Sequence, residues 1–382
     1  METFVFPNTI KFGVGSVSAL SEALAELGSE RPLLVTDPGL IESGLISEFQ
    51  STTGLVGAMV FSEVDANPSE RNVRAGVEAF RSGRCDGIVG IGGGSAIDAA
   101  KGIRLLVHHE GPLGDYGIRE QGWSRMTQPM PEMIAIPTTA GTGSEVARGA
   151  LLIEETKGAK IAVVGPRLFP SMSICDPELT LGMPNWLTAG TGMDALTHCV
   201  EEYLSPQFNP IIEGLALEGV RRASSSLLRA FQEGSDIAAR SDMMVAAMLG
   251  GMGFAKGLGI VHSLSHAIGG LFGGHHGTLN AILLPACLEF NRESCLPKFR
   301  LLCQSAGIQV EEVDDQGCAD AFIQYIVDLN TNLEMSLRLS ELGASESDLD
   351  RLADYSMKDH CHLTNPKKPM LEDFRNLLKR HL

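Results

Sequence analysis

Over the first 180 residues, short apolar runs alternate with stretches in which apolar positions return every three or four residues. The runs RPLLVTD (31–37), GAMVFSEV (57–64), CDGIVGIG (85–92), EMIAIP (132–137) and MSICDP (172–177) read as strands. Helical patterns lie between them, for instance the amphipathic RNVRAGVEAFRSG at 71–83. Strands separated by helices predict a parallel sheet covered on both faces. Beyond residue 180 the strand signal fades. Helical patterns follow at 184–204, opening at Pro184, then at 210–232, 237–255, 259–272, 277–290, 315–332, 347–357 and 371–380. Proline near a helix start and glycine just past its end recur among them. The chain therefore reads as an α/β domain over 1–180 and an all-helical domain over 181–382, with no internal repeat and no low-complexity segment.

Composition adds exclusions. At 382 residues there is enough chain for two cores. The net charge is −17 and the basic residues form no dense block, so neither nucleic acid nor an anionic membrane is an expected partner. The opening METFVFPNTIKFG has no basic leader region, and no run approaches the roughly 20 apolar residues that cross a bilayer. Cysteines stand at 85, 175, 199, 287, 295, 303, 318 and 361, with no C-x-x-C pair. Such scatter fits a reducing cytoplasm better than a disulfide framework.

Two glycine clusters compete for a phosphate-binding role. Gly13-Val14-Gly15-Ser16-Val17-Ser18 approaches a G-x-G-x-x-G pattern, with Asp37 at about the expected distance downstream. Gly92-Gly93-Gly94-Ser95 directly follows the run Ile88–Ile91 and precedes the helical Ala96–Lys101. Glycines let backbone amides approach a pyrophosphate, and the helix start adds the positive end of a dipole. The second cluster is favoured, although a tight strand-to-helix turn would look similar. Asp37 ends a strand, where its carboxylate either accepts both ribose hydroxyls and repels a 2′-phosphate or simply caps a helix. The polar stretch Pro137–Glu145 also follows a strand and suits ligand contact at the carboxyl edge of a sheet, or a connector.

The segment GLGIVHSLSHAIGGLFGGHHG, 257–277, holds four histidines: His262, His266, His275 and His276. It contains no carboxylate. Asp194 and His198 are four residues apart on a predicted helix, so carboxylate and imidazole can share a cation or simply bond each other. Buried neutral imidazoles need partners, and one carboxylate with three imidazoles makes an N₃O set suited to Fe²⁺ or Zn²⁺. Two further groups look metal-like and are set aside. His108-His109 falls on an expected surface loop, and neighbours in Asp359-His360-Cys361-His362 would point in different directions on a helix.

Taken together these residues resemble the iron-containing (group III) alcohol dehydrogenases. The likeness rests on Gly92–Ser95 with Asp98 and Lys101, on Thr138–Glu145, on Gly192–His198, on the histidine segment and on Asn365-Pro366. It implies a dehydroquinate synthase-like fold, with an N-terminal dinucleotide-binding domain and an all-α metal-binding domain. By the same resemblance Asp194, His198, His262 and His276 hold the metal, Fe²⁺ or alternatively Zn²⁺. His266 beside them passes a proton or orients a ligand. Asp37, Asn67, Gly93, Gly94, Ser95, Thr138, Thr139, Lys160 and Leu179 contact NAD. The Gly92–Ser95 loop then takes the pyrophosphate, and 13–18 becomes a turn at the edge of the sheet. Three features depart from the family pattern. Ser263 replaces a usual glycine, Ala267 and His275 occupy small or proline-like positions, and the connector Phe254–Gly259 is one residue short. They are expected to bear on specificity, being placed near the substrate.

The implied reaction moves hydride between a small primary alcohol or diol and NAD, in a cytoplasmic homodimer or larger homo-oligomer. Glycerol dehydrogenases, maleylacetate reductases and dehydroquinate synthases are related alternatives. A non-catalytic NAD-binding or filament subunit is the alternative of another class, and an incomplete ligand set would have favoured it.

Overall fold

The computed structural model describes residues 8–155 and 159–382. Contacts divide them into two units. One holds the described residues up to Thr139 together with Gly143–Thr180, and the other holds Leu181–Leu382 with the short segment Ala140–Thr142.

Among its described residues the first unit has eight strands: β1 (Thr9–Phe12), β2 (Pro32–Val35), β3 (Val60–Phe61), β4 (Gly87–Gly92), β5 (Glu132–Pro137), β6 (Gly149–Glu154), β7 (Ala159–Val164) and β8 (Met172–Cys175). Six of them form one sheet in the order β1-β8-β5-β4-β2-β3, parallel throughout, with β4 and β5 in register from Gly87↔Glu132 to Gly92↔Pro137. All five expected strands are present, most of them trimmed at their ends. β1 and the antiparallel β6–β7 hairpin were not expected. The four residues of β1, Thr-Ile-Lys-Phe, are half polar and only partly covered at the sheet edge, so they carry no strong apolar signal.

Alternation in the central strands builds two cores. Leu33, Val35, Ile88, Met133 and Ala135 pack with Val73 and Val77 of the Glu70–Ser82 helix and Ile97 and Ile103 of the Gly94–Leu106 helix. Leu34, Val89, Ile91, Ile134 and Ile136 meet Leu20, Leu24, Ile46 and Phe49 on the other face. Each fully buried Leu, Ile or Val stabilises by about 1.5–3 kcal/mol relative to exposure. From β2 the chain crosses to β3 on one side, whereas β4 is followed by β5 on the other. The carboxyl ends of β2 and β4 therefore flank the point where the winding reverses, the usual ligand crevice of such sheets.

The second unit is helical. Its central helix, Asn185–Leu204, is buried along every residue from Thr188 onward. Around it pack Pro210–Gln232, Ile237–Gly253 and His276–Cys295. A Cβ added at Gly277 would stand 1.9 Å from the Gly190 carbonyl oxygen, so only glycine lets the 276–295 helix approach the central one so closely. That helix runs to Cys295 through Pro285, beyond the expected end at 290, because its buried face continues to Asn291 and Cys295. The short helix Phe299–Ser305 was not expected.

Candidate functional site

In the helical unit, three imidazoles converge on one carboxylate. Asp194 and His198 project from one face of the central helix, His262 from the helix Ile260–Phe272, and His276 from the first turn of the helix His276–Cys295. The Nε2 atoms of His198, His262 and His276 lie 3.6, 3.7 and 3.5 Å from Asp194 Oδ1. These separations are too long for hydrogen bonds. They match the edges of a tetrahedron of donors around one cation, about 3.4 Å when each bond is about 2.1 Å. One donor atom from each of the four residues falls within 4.8 Å of all the others, so together they can hold one cation. His275, next to His276, instead turns its ring edge-on to Trp186.

Burial and charge work against each other here. Burial pushes the His198 imidazole down to about 4, with Asp194 only partly opposing it. Burial also disfavours charge on His262, but attraction from Asp194 and the hydrogen bond and charge of Glu201 hold it up at about 9. Asp194 is pulled well below the ordinary carboxylate range by the surrounding imidazoles, against the cost of its burial. A divalent cation supplies the positive charge this cluster favours without requiring a proton on any ring.

Two residues that the sequence did not single out, Glu201 and Asn280, fix these groups. Glu201, seven residues after Asp194 on the same helix, accepts a hydrogen bond from His262 Nδ1 at 2.6 Å. Its carboxylate also accepts from the Gly259 and Val261 amides, at 3.0 and 2.8 Å. The bond on Nδ1 leaves His262 Nε2 turned to the cluster. Asn280, one turn after His276, donates from Nδ2 to Asp194 at 2.8 Å and lies 3.2 Å from both His262 Nε2 and His276 Nε2. Phe254 closes one side, its ring edge-on to His198 with centroids 4.8 Å apart.

His266 stacks on His276 with ring centroids 5.2 Å apart, and its Nδ1 lies 3.0 Å from Asp359 Oδ2. Asp359 belongs to the group set aside from the sequence because neighbours on a helix diverge. The residue caps the end of the Leu349–Lys358 helix, outside any run in which neighbours diverge, and its carboxylate faces the histidine segment. His109 also differs from expectation. It is buried, with Nδ1 against the Leu105 carbonyl and Nε2 accepting the Gln128 amide, a closed structural role. Ser263, expected near the substrate, is fully buried and donates to Asp359 Oδ1 at 2.8 Å.

In the α/β unit, the crevice at the winding reversal gathers most of the residues expected to touch a dinucleotide. Asp37 follows β2 and caps the next helix, with Oδ1 accepting the Leu40 amide at 3.1 Å. Its Oδ2 lies 3.3 Å from where a Cβ on Gly92 would stand, so the second oxygen faces the glycine loop. Gly92 has φ +147, and a Cβ there would also strike Ala96, which restricts the position to glycine. Gly93 caps the Gly94–Leu106 helix, whose first amides have no side-chain cap. Ser95 donates to the Ala66 carbonyl at 2.6 Å, beside Asn67, whose Oδ1 is 3.2 Å from Lys160 Nζ on β7. Thr138 and Thr139 leave β5, and Leu179 lies in the turn Pro177–Thr180 after β8. The competing cluster at 13–18 is already engaged, since the Gly15 and Val17 amides donate to the Asp176 carboxylate at 3.1 and 3.0 Å. A phosphate would have to displace that internal anion.

Two family patterns match the chain: iron-containing alcohol dehydrogenase over residues 7–177, and Fe-containing alcohol dehydrogenase family, C-terminal, over 188–382. A 4-hydroxybutyrate dehydrogenase of Cupriavidus necator is 41% identical over 98% of both chains. The crystal structure of a 1,3-propanediol oxidoreductase superposes with a TM-score of 0.95 at 36% identity, covering all of both chains. A sulfoacetaldehyde reductase from Bifidobacterium kashiwanohense, solved with NAD⁺, gives 0.87 at 26% identity over 100% of this chain and 98% of its own. With both patterns matched and such identity along its length, the chain belongs to the iron-containing alcohol dehydrogenase family.

Proposed function

We propose that the protein is an NAD-dependent, metal-dependent alcohol dehydrogenase and aldehyde reductase acting on a small primary alcohol or diol. The observation that carries this reading is the set of three imidazole Nε2 atoms 3.5–3.7 Å from one Asp194 oxygen, with no lysine or arginine among the described residues paired to that oxygen. Asp194, His198, His262 and His276 hold the cation. Fe²⁺ is the proposed metal, and the N₃O donor set accepts Zn²⁺ equally. When bound, the cation supplies Lewis acidity toward an alcohol or carbonyl oxygen, and the dinucleotide a hydride acceptor or donor.

The chain's own residues do the rest. Glu201 and Asn280 keep the donors converged before any ligand arrives. Phe254 presents an apolar edge suited to a short carbon chain. Gly93, Gly94 and Ser95 place backbone amides at a helix start for the pyrophosphate, with Thr138 and Thr139 on the neighbouring strand end. Asn67, Lys160 and Leu179 complete the proposed NAD contacts. The free oxygen of Asp37 accepts ribose hydroxyls and repels a 2′-phosphate. His266 is the proposed proton acceptor.

All eight cysteines are free, which supports a cytoplasmic setting. No helix among the described residues is long and apolar enough to cross a membrane. The working assembly is proposed to be a homodimer or larger, which light scattering measures. To test the function, the metal is chelated and Fe²⁺, Zn²⁺ or nothing is returned, while NADH is followed at 340 nm with short alcohols and aldehydes. Full activity after complete metal removal contradicts the proposal.

A further inference from the structure

His266 and Asp359 stand 93 residues apart in the chain, yet Nδ1 of the ring and Oδ2 of the carboxylate are 3.0 Å apart. The other oxygen, Oδ1, accepts the Ser263 hydroxyl at 2.8 Å and the Cys361 amide at 2.7 Å. Ser263 Oγ in turn accepts the His362 amide at 2.9 Å, so the hydroxyl is held as well. Burial disfavours a charged Asp359, but His266 and the hydrogen bonds hold its carboxyl well below the usual range. An ionised carboxylate only accepts, so the hydrogen between Asp359 and His266 resides on Nδ1. In the neutral ring the lone pair then stands on Nε2, at the edge opposite Asp359. His266 Nε2 is buried, and no group among the described residues bonds to it. A buried acceptor left unsatisfied is costly and calls for an explanation. Its ring lies flat on His276 and edge-on to His262. The lone pair thus sits in a ring that lines the donor cluster.

We infer that Asp359, braced by the Ser263 hydroxyl and the Cys361 amide, is the positioning residue that fixes the His266 tautomer and presents Nε2 as a proton acceptor. This rests on the functional reading above and deepens it, since it assigns His266 one of two roles. Two roles had stood open for that ring, passing a proton or orienting a ligand. A ring tied at Nδ1 and bare at Nε2 is built for the first. In the oxidation direction Nε2 takes the alcohol proton, and a bound dinucleotide would accept the hydride with its electron pair from the carbinol carbon. Reduction reverses both transfers. Asp359 takes no proton in either direction. Ser263, a departure from the family pattern, belongs to this chain of bonds and not to the substrate wall.

The test compares Asp359→Asn, Asp359→Glu and Ser263→Gly with the wild type. In metal-free protein carrying ¹⁵N-histidine, with His266 assigned through His266→Gln, the wild type is expected to show Nδ1-protonated His266. Asp359→Asn is expected to shift that pattern, because an amide can meet either tautomer. With metal restored, kcat of Asp359→Asn is expected to fall about 10- to 100-fold. The alcohol KM should stay within about threefold, and metal content should match the wild type. Asp359→Glu should recover part of the loss. Ser263→Gly should lose only about two- to tenfold, the share of one hydrogen bond, since the Cys361 amide remains. An unchanged tautomer, an unchanged kcat, or loss of the metal from Asp359→Asn would each overturn the inference. The tautomer measurement stands even if the wild type proves inactive with alcohols, so failure of the broader function is read separately.

Discussion

Each unit withdraws an aspartate from most of the water, and the two solve the problem differently. In the α/β unit Asp98 accepts the Ser144 hydroxyl at 2.6 Å and the Leu151 amide at 2.8 Å. The nearby cation is the chain's own. Lys101, fully buried, lies 3.9 Å from Asp98 and donates to the Ser144 carbonyl, the Ser144 hydroxyl and the Gly149 carbonyl at 2.7, 2.8 and 2.7 Å. In the helical unit Asp194 receives one amide hydrogen from Asn280 and is otherwise faced by imidazoles beyond hydrogen-bonding distance. The buried lysine of that unit, Lys256, is spent elsewhere, on the carbonyls of Glu202, Tyr203 and Ser205 and on Glu213. A buried carboxylate with an internal cation closes a structural network. One faced by imidazoles, with no lysine or arginine beside it among the described residues, marks a place for an external cation.

The contrast is sharpest under substitution. Asp194→Ala is expected to abolish metal retention and lower kcat/KM by at least about 10³-fold, since the Lewis acid supplies several kcal/mol. Metal analysis beside steady-state rates measures both. Lys101→Met acts in the opposite sense. It should destabilise the fold by about 2–4 kcal/mol, because the largely covered Asp98 loses its cation and the Ser144 and Gly149 carbonyls lose their buried donor. Denaturant unfolding measures this, and the surviving folded protein should still bind its metal. A variant of Lys101 that lost metal but kept stability would erase the distinction between the two clusters.

Asp37→Gly is expected to change the NADH-to-NADPH ratio of kcat/KM by roughly 10²-fold, through removal of a like charge near a 2′-phosphate. Glu201→Gln should weaken metal affinity by about tenfold or more while leaving the donors themselves in place. The smallest effect concerns Glu145, beside the Lys101 network. Burial pushes its carboxyl from 4.5 up to about 7, against attraction from Lys101. With the folded value raised, the folded state binds the extra proton between about pH 4.5 and 7, so stability from this group falls as pH rises through that window. Glu145→Gln should flatten that slope in unfolding curves measured from pH 5 to 7.5.

The sequence made some of this legible and hid the rest for physical reasons. Asp194 and His198 could be paired because four residues on a helix return to one face, and Gly92–Ser95 because a glycine loop between strand and helix has few other uses. Glu201 was equally accessible, standing three residues beyond His198 on the same face, but a lone glutamate on a helix carries no signal of its target. Asp359 could not be paired with His266 from spacing at all, since only tertiary folding brings a helix end to the histidine segment. The edge strand β1 and the β6–β7 hairpin escaped notice for a related reason. Each is stabilised by the strand beside it more than by its own apolar pattern. Asp37 illustrates a different limit. Two readings were open, helix cap and ribose acceptor, and its two oxygens leave room for both.

The decisive measurement is metal stoichiometry against turnover in protein purified without oxygen. One Fe²⁺ or Zn²⁺ per chain is expected, with the NAD⁺-dependent oxidation rate of a short alcohol rising in proportion to occupancy and vanishing in the metal-free protein. A chain that binds no metal, or one that turns over at the full rate without it, would contradict the proposed role of Asp194 and its three histidines.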